Sequence, residues 1–341
     1  MNENHISHKK PFFPINEPLM DYLRKYSREL KIPVRYLDLK HFFTLVPLED
    51  KDGNPTLWET ALYSDSEMKE LNVGLTEIYS ILKSDGTTHI DHLSVDRIDF
   101  CAFGNSQPFR VKIINQLNDN YDYFYVKRMD ASRIYGLELE HILSPNKINY
   151  LMYNDTIVEE HIVGIPGDQF IDINLKQKGH NEVRLSKEFV KFNERCFIRL
   201  LGDMRSYNFV VDMTPDLDQL QYRIRAIDFD QQSYEGRKNI YLPQYYKENQ
   251  PFVDMAMKHM TLETVHQYQL EERALMAKRL RLAKYQVKEL MEAMTNDDLS
   301  SIANISQLKT DLAKHYNDKS FLKCEKMGEV VQACLDTLHY H

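Results

Sequence analysis

Cysteine, glycine and proline are all scarce in this chain, and the scarcities exclude more than the abundances reveal. The four cysteines of the 341 residues, Cys101, Cys196, Cys324 and Cys334, are scattered and form no CxxC pair. A disulfide framework and a cysteine-rich zinc site are thereby excluded, and a reduced compartment with unpaired thiols is expected. The 11 glycines and 12 prolines gather into no low-complexity segment, and no internal repeat is present, which removes linker-like and solenoid architectures. No apolar run approaches the ~20 residues that span a bilayer. The first residues, MNENHISHKKPFFP, hold no apolar core of the secretory kind, so neither membrane nor export is expected and a cytoplasmic place is. Basic side chains are outnumbered, 43 against 51 acidic, for a net charge of −8. That balance repels a phosphate backbone and argues against nucleic acid as a main partner.

What remains is the composition of an ordinary globular protein, 43% hydrophobic and 28% charged, long enough for two lobes and an appendage. Pro18 suits the first turn of a helix through Leu19, Tyr22, Leu23 and Tyr26, whose spacing makes one apolar face. Extended stretches are expected over Val34–Leu39 and Phe42–Val46, with a turn at Asp52–Pro55. A helix follows from a cap at Ser64 or Ser66 to about Lys83, stopped by Asp85-Gly86. The pattern then changes to strands over Ile98–Phe103, Phe109–Ile114 and Tyr121–Arg128. A helix fits Ala131–Leu143, closed by Ser144-Pro145. Two strands, Ile148–Tyr153 and Thr156–Val163, flank a turn at Asn154-Asp155. After Gly164–Gly167 breaks the pattern, a buried helix is expected over Leu185–Leu201, then a hairpin with strands Phe209–Val211 and Tyr222–Ile227. Helix-compatible sequence runs on beyond Phe252.

Three short pieces carry chemistry. Tyr123–Lys127 is a strand that ends in lysine. Leu201-Gly202-Asp203-Met204-Arg205-Ser206-Tyr207-Asn208 holds an aspartate and an asparagine with four residues between them. Arg225–Asp230 is a strand that delivers Asp228 and Asp230. Phosphoryl transfer needs such parts: a cation on the phosphates, hard oxygen ligands for magnesium, and a group that orients the acceptor hydroxyl. Each piece alone also suits a solvated lysine, a loop or a strand end. Their order, intervals and element types agree with one another.

In this combination the chain resembles the protein-kinase-like superfamily, particularly its aminoglycoside phosphotransferase and choline kinase branch. Those enzymes carry a His-Gly-Asp-x-x-x-x-Asn loop and an Ile-Asp-Phe-Gly or Ile-Asp-Phe-Glu strand. The resemblance covers residues 95 to 255 and does not reach residues 1 to 90. It implies an α+β, two-lobed fold: a small antiparallel-sheet lobe over 96–163 and a mostly helical lobe over 164–341, preceded by an α/β extension over 1–95. It implies ATP and magnesium as cofactors. Lys127 would grip the α- and β-phosphates, Asp203 would be the catalytic aspartate, and Arg205 would add positive charge. Asn208 and Asp228 would hold magnesium, with Asp230 as a second contact. Gly104, in the loop Ala102–Gln107, would lie over the phosphates, and the backbone of Glu160, His161 and Val163 would meet adenine. The lysine also needs an acidic partner on the following helix. Glu138 shares the inward stripe of Ile134 and Ile142, while Glu140 falls on the opposite side, toward solvent.

The departures are Leu201 where the family has histidine, a single glycine in the phosphate loop, and an added loop at Met213–Gln219. The expected function is transfer of the γ-phosphoryl group to a hydroxyl of an unidentified small molecule or protein, the small molecule being favoured. Leu201 and the glycine-poor loop motivate an alternative, a kinase-fold scaffold without turnover. A third reading keeps ATP and transfers its nucleotidyl group. Elsewhere, His89 and His92 near Asp91 lack a completing ligand and read as surface residues, and Ser206 has no histidine beside it. The stretch Leu262–Met294, with Glu271, Glu272, Arg273, Lys278, Arg279 and Arg281, reads as an exposed charged helix face.

Overall fold

The computed structural model describes residues 10–50, 52–83, 92–177, 179–216 and 219–340. The chain is α+β and divides into two compact units. Residues 23–129 and 148–161 belong to the first, and residues 10–22, 130–147 and 162–341 to the second. The boundary crosses helix α1 (Glu17–Lys25), whose apolar face of Leu19, Tyr22 and Leu23 is the one its spacing predicts.

The first unit is an antiparallel sheet backed by one helix. Its strands are β1 (Thr44–Glu49), β2 (Pro55–Leu62), β3 (Leu93–Phe100), β4 (Phe109–Asn115), β5 (Tyr121–Arg128), β6 (Tyr150–Tyr153) and β7 (Thr156–Glu160), in the order β1-β2-β3-β4-β5-β7-β6. Helix α2 (Asp65–Lys83) starts where Ser64 and Glu67 cap each other, the reciprocal pairing that satisfies free N–H groups at a helix start. Its Leu71, Leu75, Ile78 and Leu82 pack on Phe109, Val111, Ile113, Phe124, Val126 and Val158 of the sheet. Strict alternation along β4 and β5 sends those apolar residues to the α2 face and their polar neighbours to the other.

Several boundaries differ from expectation. Val34–Tyr36 form no strand, and Asp38–His41 is a short 3-10 turn in which Arg35 and Asp38 bond each other locally. Pro55–Leu62, unmarked in the sequence reading, is a strand paired with both β1 and β3. Residues expected in a separate extension therefore lie in the same sheet as Lys127. The predicted stop at Asp85-Gly86 lies outside the described residues, as do residues 1–9, His89 and Asp91.

The second unit is mainly helical. It holds α3 (Ala131–Leu143), α4 (Glu182–Arg199), α5 (Gln250–His259), α6 (Leu262–Leu282), α7 (Lys284–Thr295), α8 (Ile302–Tyr316) and α9 (Met327–Asp336). A small antiparallel sheet joins β8 (Ile165–Pro166), β9 (Phe209–Asp216) and β10 (Gln219–Ala226) in the order β10-β9-β8. Helix α4 is central, packing on α5, α6 and β10. No helix among the described residues is long and apolar enough to cross a membrane.

Candidate functional site

On the sheet face away from α2, Lys127 Nζ lies 2.7 Å from Glu159 Oε2. In the β5–β7 register Lys127 faces Ile157 and Tyr125 faces Glu159, so the ion pair is a diagonal contact between neighbouring strands. Within this unit the acid that pairs with Lys127 is thus Glu159, whereas Glu138, expected as its partner, belongs to the other unit. Glu138 accepts instead from Tyr22 Oη, with Gln286 Nε2 at 3.5 Å. A buried carboxylate needs a partner, and Glu138 finds a hydroxyl and an amide inside the helical unit.

The remaining residues expected around a nucleotide are arranged as follows. Tyr125 Oη and His161 Nδ1 are 3.2 Å apart, and desolvation lowers the His161 pKa. Glu160 accepts from the Asn149 backbone at 2.8 Å. Val163 is exposed. Gly104 sits in a tight turn between β3 and β4, where Gln107 N donates to its carbonyl at 3.0 Å and an added Cβ would come within 2.9 Å of Pro108.

In the second unit, α4 ends on Leu200, which is in the left-handed conformation. Leu201 is fully buried and bridges to Gln232 through its backbone. Packing and this bridge thereby brace the loop at Leu201. An added Cβ at Gly202 would meet Ile240 at 3.0 Å and the Gln231 carbonyl at 3.1 Å, so a side chain there would push the loop away. Asp203 follows with φ 57, a region that aspartate tolerates better than most residues.

Asp203 is held on all sides. Its N–H lies 3.1 Å from Tyr246 Oη, and Asn208 Nδ2 donates to its carbonyl at 2.7 Å. Its Oδ1 accepts from Arg205 Nε at 3.0 Å, and Arg205 also bonds Glu248 at 2.6 Å. Burial pushes the Asp203 carboxyl up to about 6 against the pull of Arg205, and nearby Asp228 and Glu248 add to the rise. The group is therefore protonated below that pH and charged above it. A carbon-13 NMR titration of this carboxyl is expected to have its midpoint near pH 6. In Arg205→Gln, which removes the opposing cation, the midpoint moves higher still. A wild-type midpoint near the ordinary ~3.9 would contradict this environment.

Strand β10 then brings the acidic pair to the loop, because Ile227 N donates to the Asn208 carbonyl at 3.0 Å. Asp228 and Asp230 share one buried cation. Arg133 Nη2 lies 2.8 Å from Asp228 Oδ1, and Arg133 Nε 2.8 Å from Asp230 Oδ1. Arginine in the first turn of α3 opposes the helix dipole, at a cost of about 0.3–1 kcal/mol for an exposed charge. The carboxylate pair offsets it. The donor chemistry suits a hard cation: two carboxylates, the Asn208 amide oxygen, and a place already filled by positive charge. Among the described residues no group of three or more His, Cys, Asp or Glu is disposed to hold a metal. Magnesium commonly takes one or two carboxylates and completes its shell with phosphate oxygens and water.

The charged helices differ from expectation in their burial. Glu140 does not face solvent. It is buried against Arg199 Nη1 of α4. Glu272 and Arg273 of α6 are also buried, paired with Arg195 at 3.2 Å and Glu194 at 2.8 Å. Alternating charge along α6 thus bolts it to α4 in part, while Lys278 stays exposed.

No protein-family model matches the chain, and no curated protein matches it in sequence. The sequence reading missed Glu159, Arg133, Tyr246 and Glu248. The one signal available was Arg133, since a cation at a helix start implies an acid nearby. The others depend on strand register and on loop packing that no local pattern encodes.

Proposed function

We propose that this chain is a two-lobed, protein-kinase-like phosphotransferase that moves the γ-phosphoryl group of ATP to a hydroxyl group. The observation that carries this reading is the Asp203 loop. Tyr246 and Asn208 fix the backbone of Asp203 and Arg205 fixes its carboxylate, and the same loop is hydrogen-bonded to the strand end bearing Asp228 and Asp230. In this reading Asp203 orients the acceptor hydroxyl and takes its proton. The acceptor oxygen forms a bond to the γ-phosphorus as the bond to the β,γ-bridging oxygen breaks and ADP leaves. Asn208, Asp228 and Asp230 would hold magnesium, which when bound screens the charge on the phosphates. Lys127 would hold the α- and β-phosphates with Glu159 fixing its ammonium, and Arg205 would balance charge at the transferred group. Residues beyond this set govern the choice of acceptor, for which a small molecule is favoured over a protein.

The Arg133 pairs favour a second reading, a kinase-fold binding protein without turnover, because Asp228 and Asp230 already hold a guanidinium. Calorimetric titration of ATP with and without magnesium, on wild type and Asp228→Ala, tests both. The phosphotransferase reading expects magnesium-dependent binding that the variant loses. Binding unaffected by magnesium and by Asp228→Ala would sink it.

A further inference from the structure

Arg133 is 2% exposed, and its guanidinium reaches both acids of the strand end. Three independent features press it there. Ser132 Oγ donates to the Gln232 carbonyl at 2.7 Å, tying the first turn of α3 to the segment that follows Asp230. One turn on, Gly136 lets the helix come close: a Cβ there would meet Phe229 Cβ at 3.1 Å and Gln232 Cβ at 3.2 Å. At the helix start, the cap residue Asp130 accepts from Arg133 N at 3.3 Å. Asp130 is itself clasped by Lys10 Nζ at 2.8 Å and by Phe13 N at 2.9 Å. Ala131 N donates back to the Phe13 carbonyl at 2.9 Å, closing the clasp.

We propose that Arg133 is an internal cation that competes with the metal ion for Asp228 and Asp230, so that loading the site requires the guanidinium to leave. The segment Lys10–Phe13, by fastening the cap of α3, holds Arg133 in the competing position. This rests on reading Asp228 and Asp230 as metal ligands. The chemistry is direct: a guanidinium satisfies two carboxylates with charge-assisted bonds, and a divalent ion needs the same oxygens. The arrangement would keep the acids paired when metal is absent, since two adjacent like charges, one of them buried, are costly without a cation.

The test is binding of Mn2+ alone, followed by electron paramagnetic resonance of the unbound ion, on the full chain. Arg133→Gln is expected to bind Mn2+ at least about tenfold more tightly than wild type, because one charge-assisted competitor is gone. Asp228→Asn added to that variant is expected to abolish the binding. Arg133→Lys, which keeps the charge but cannot grip both carboxylates at once, is expected to fall between wild type and Arg133→Gln, and it carries the comparison if Arg133→Gln does not fold. Mn2+ is also expected to raise the melting temperature of Arg133→Gln more than that of wild type. Equal affinity in wild type and both Arg133 variants, lost with Asp228→Asn, would overturn the competition and leave the metal-ligand reading standing. No Mn2+ binding by any of the proteins would overturn both.

Discussion

Glu140→Ala is expected to lower the stability of the helical unit by roughly 3–5 kcal/mol, the cost of breaking a buried ion pair and leaving one charge alone. Both partners are almost fully enclosed, with side chains 1% and 3% exposed for Arg199 and Glu140. Arg199 also donates from Nε to the Arg195 carbonyl at 2.9 Å, so its guanidinium cannot swing out to water without losing that bond. A loss of this size moves a thermal midpoint by on the order of 10 °C. The decisive comparison is the double variant Glu140→Leu/Arg199→Met. Replacing a whole buried pair by apolar residues of similar volume is often neutral or stabilising, so the double variant is expected to recover most of what the single change loses. Thermal melting followed by circular dichroism reads both. A single variant within about 1 kcal/mol of wild type would mean that the pair is solvated and carries little.

On the proposed phosphotransferase reading, Asp203→Asn is expected to lower phosphoryl transfer from ATP by about 10²–10⁴-fold, the range for removing a general base. The substitution keeps size and shape. The backbone bonds from Tyr246 and Asn208 to residue 203 do not involve its side chain, so they remain. The loop therefore stays in place while the proton acceptor is lost. With no acceptor identified, release of phosphate from ATP to water serves as the measured rate. ATP affinity is expected to change by only a few-fold, because the residues assigned to the phosphates lie elsewhere. Turnover unchanged in Asp203→Asn would remove Asp203 from the chemistry and leave the scaffold reading in its place.

Sequence and structure agree best where the controlling forces are local. The alternation Phe109, Val111, Ile113 and the run Tyr121–Arg128 determined β4 and β5, because a strand buried on one face must repeat every two residues. The helix α3 and its stop at Ser144-Pro145, α4, and the hairpin of β9 and β10 were legible because their signals are likewise local. The Asp203–Asn208 loop was legible because its residues are close in sequence, and the structure brings Asp228 beside it through one backbone bond.

What the sequence by itself determined is the set of elements and the placement of chemical groups upon them. Only the tertiary structure decided which charge meets which. Lys127 pairs with Glu159 through the register of two strands 32 positions apart in the chain, and Glu140 and Arg199 meet from two helices though they lie 59 positions apart. Arg133 reaches Asp228 and Asp230 because Gly136 allows α3 to lie against the strand end. Periodicity marks the buried face of an element and leaves its neighbour unspecified. A buried charge takes whichever opposite charge packing brings within about 3 Å, because in a low-dielectric interior an unpaired one is too costly to keep.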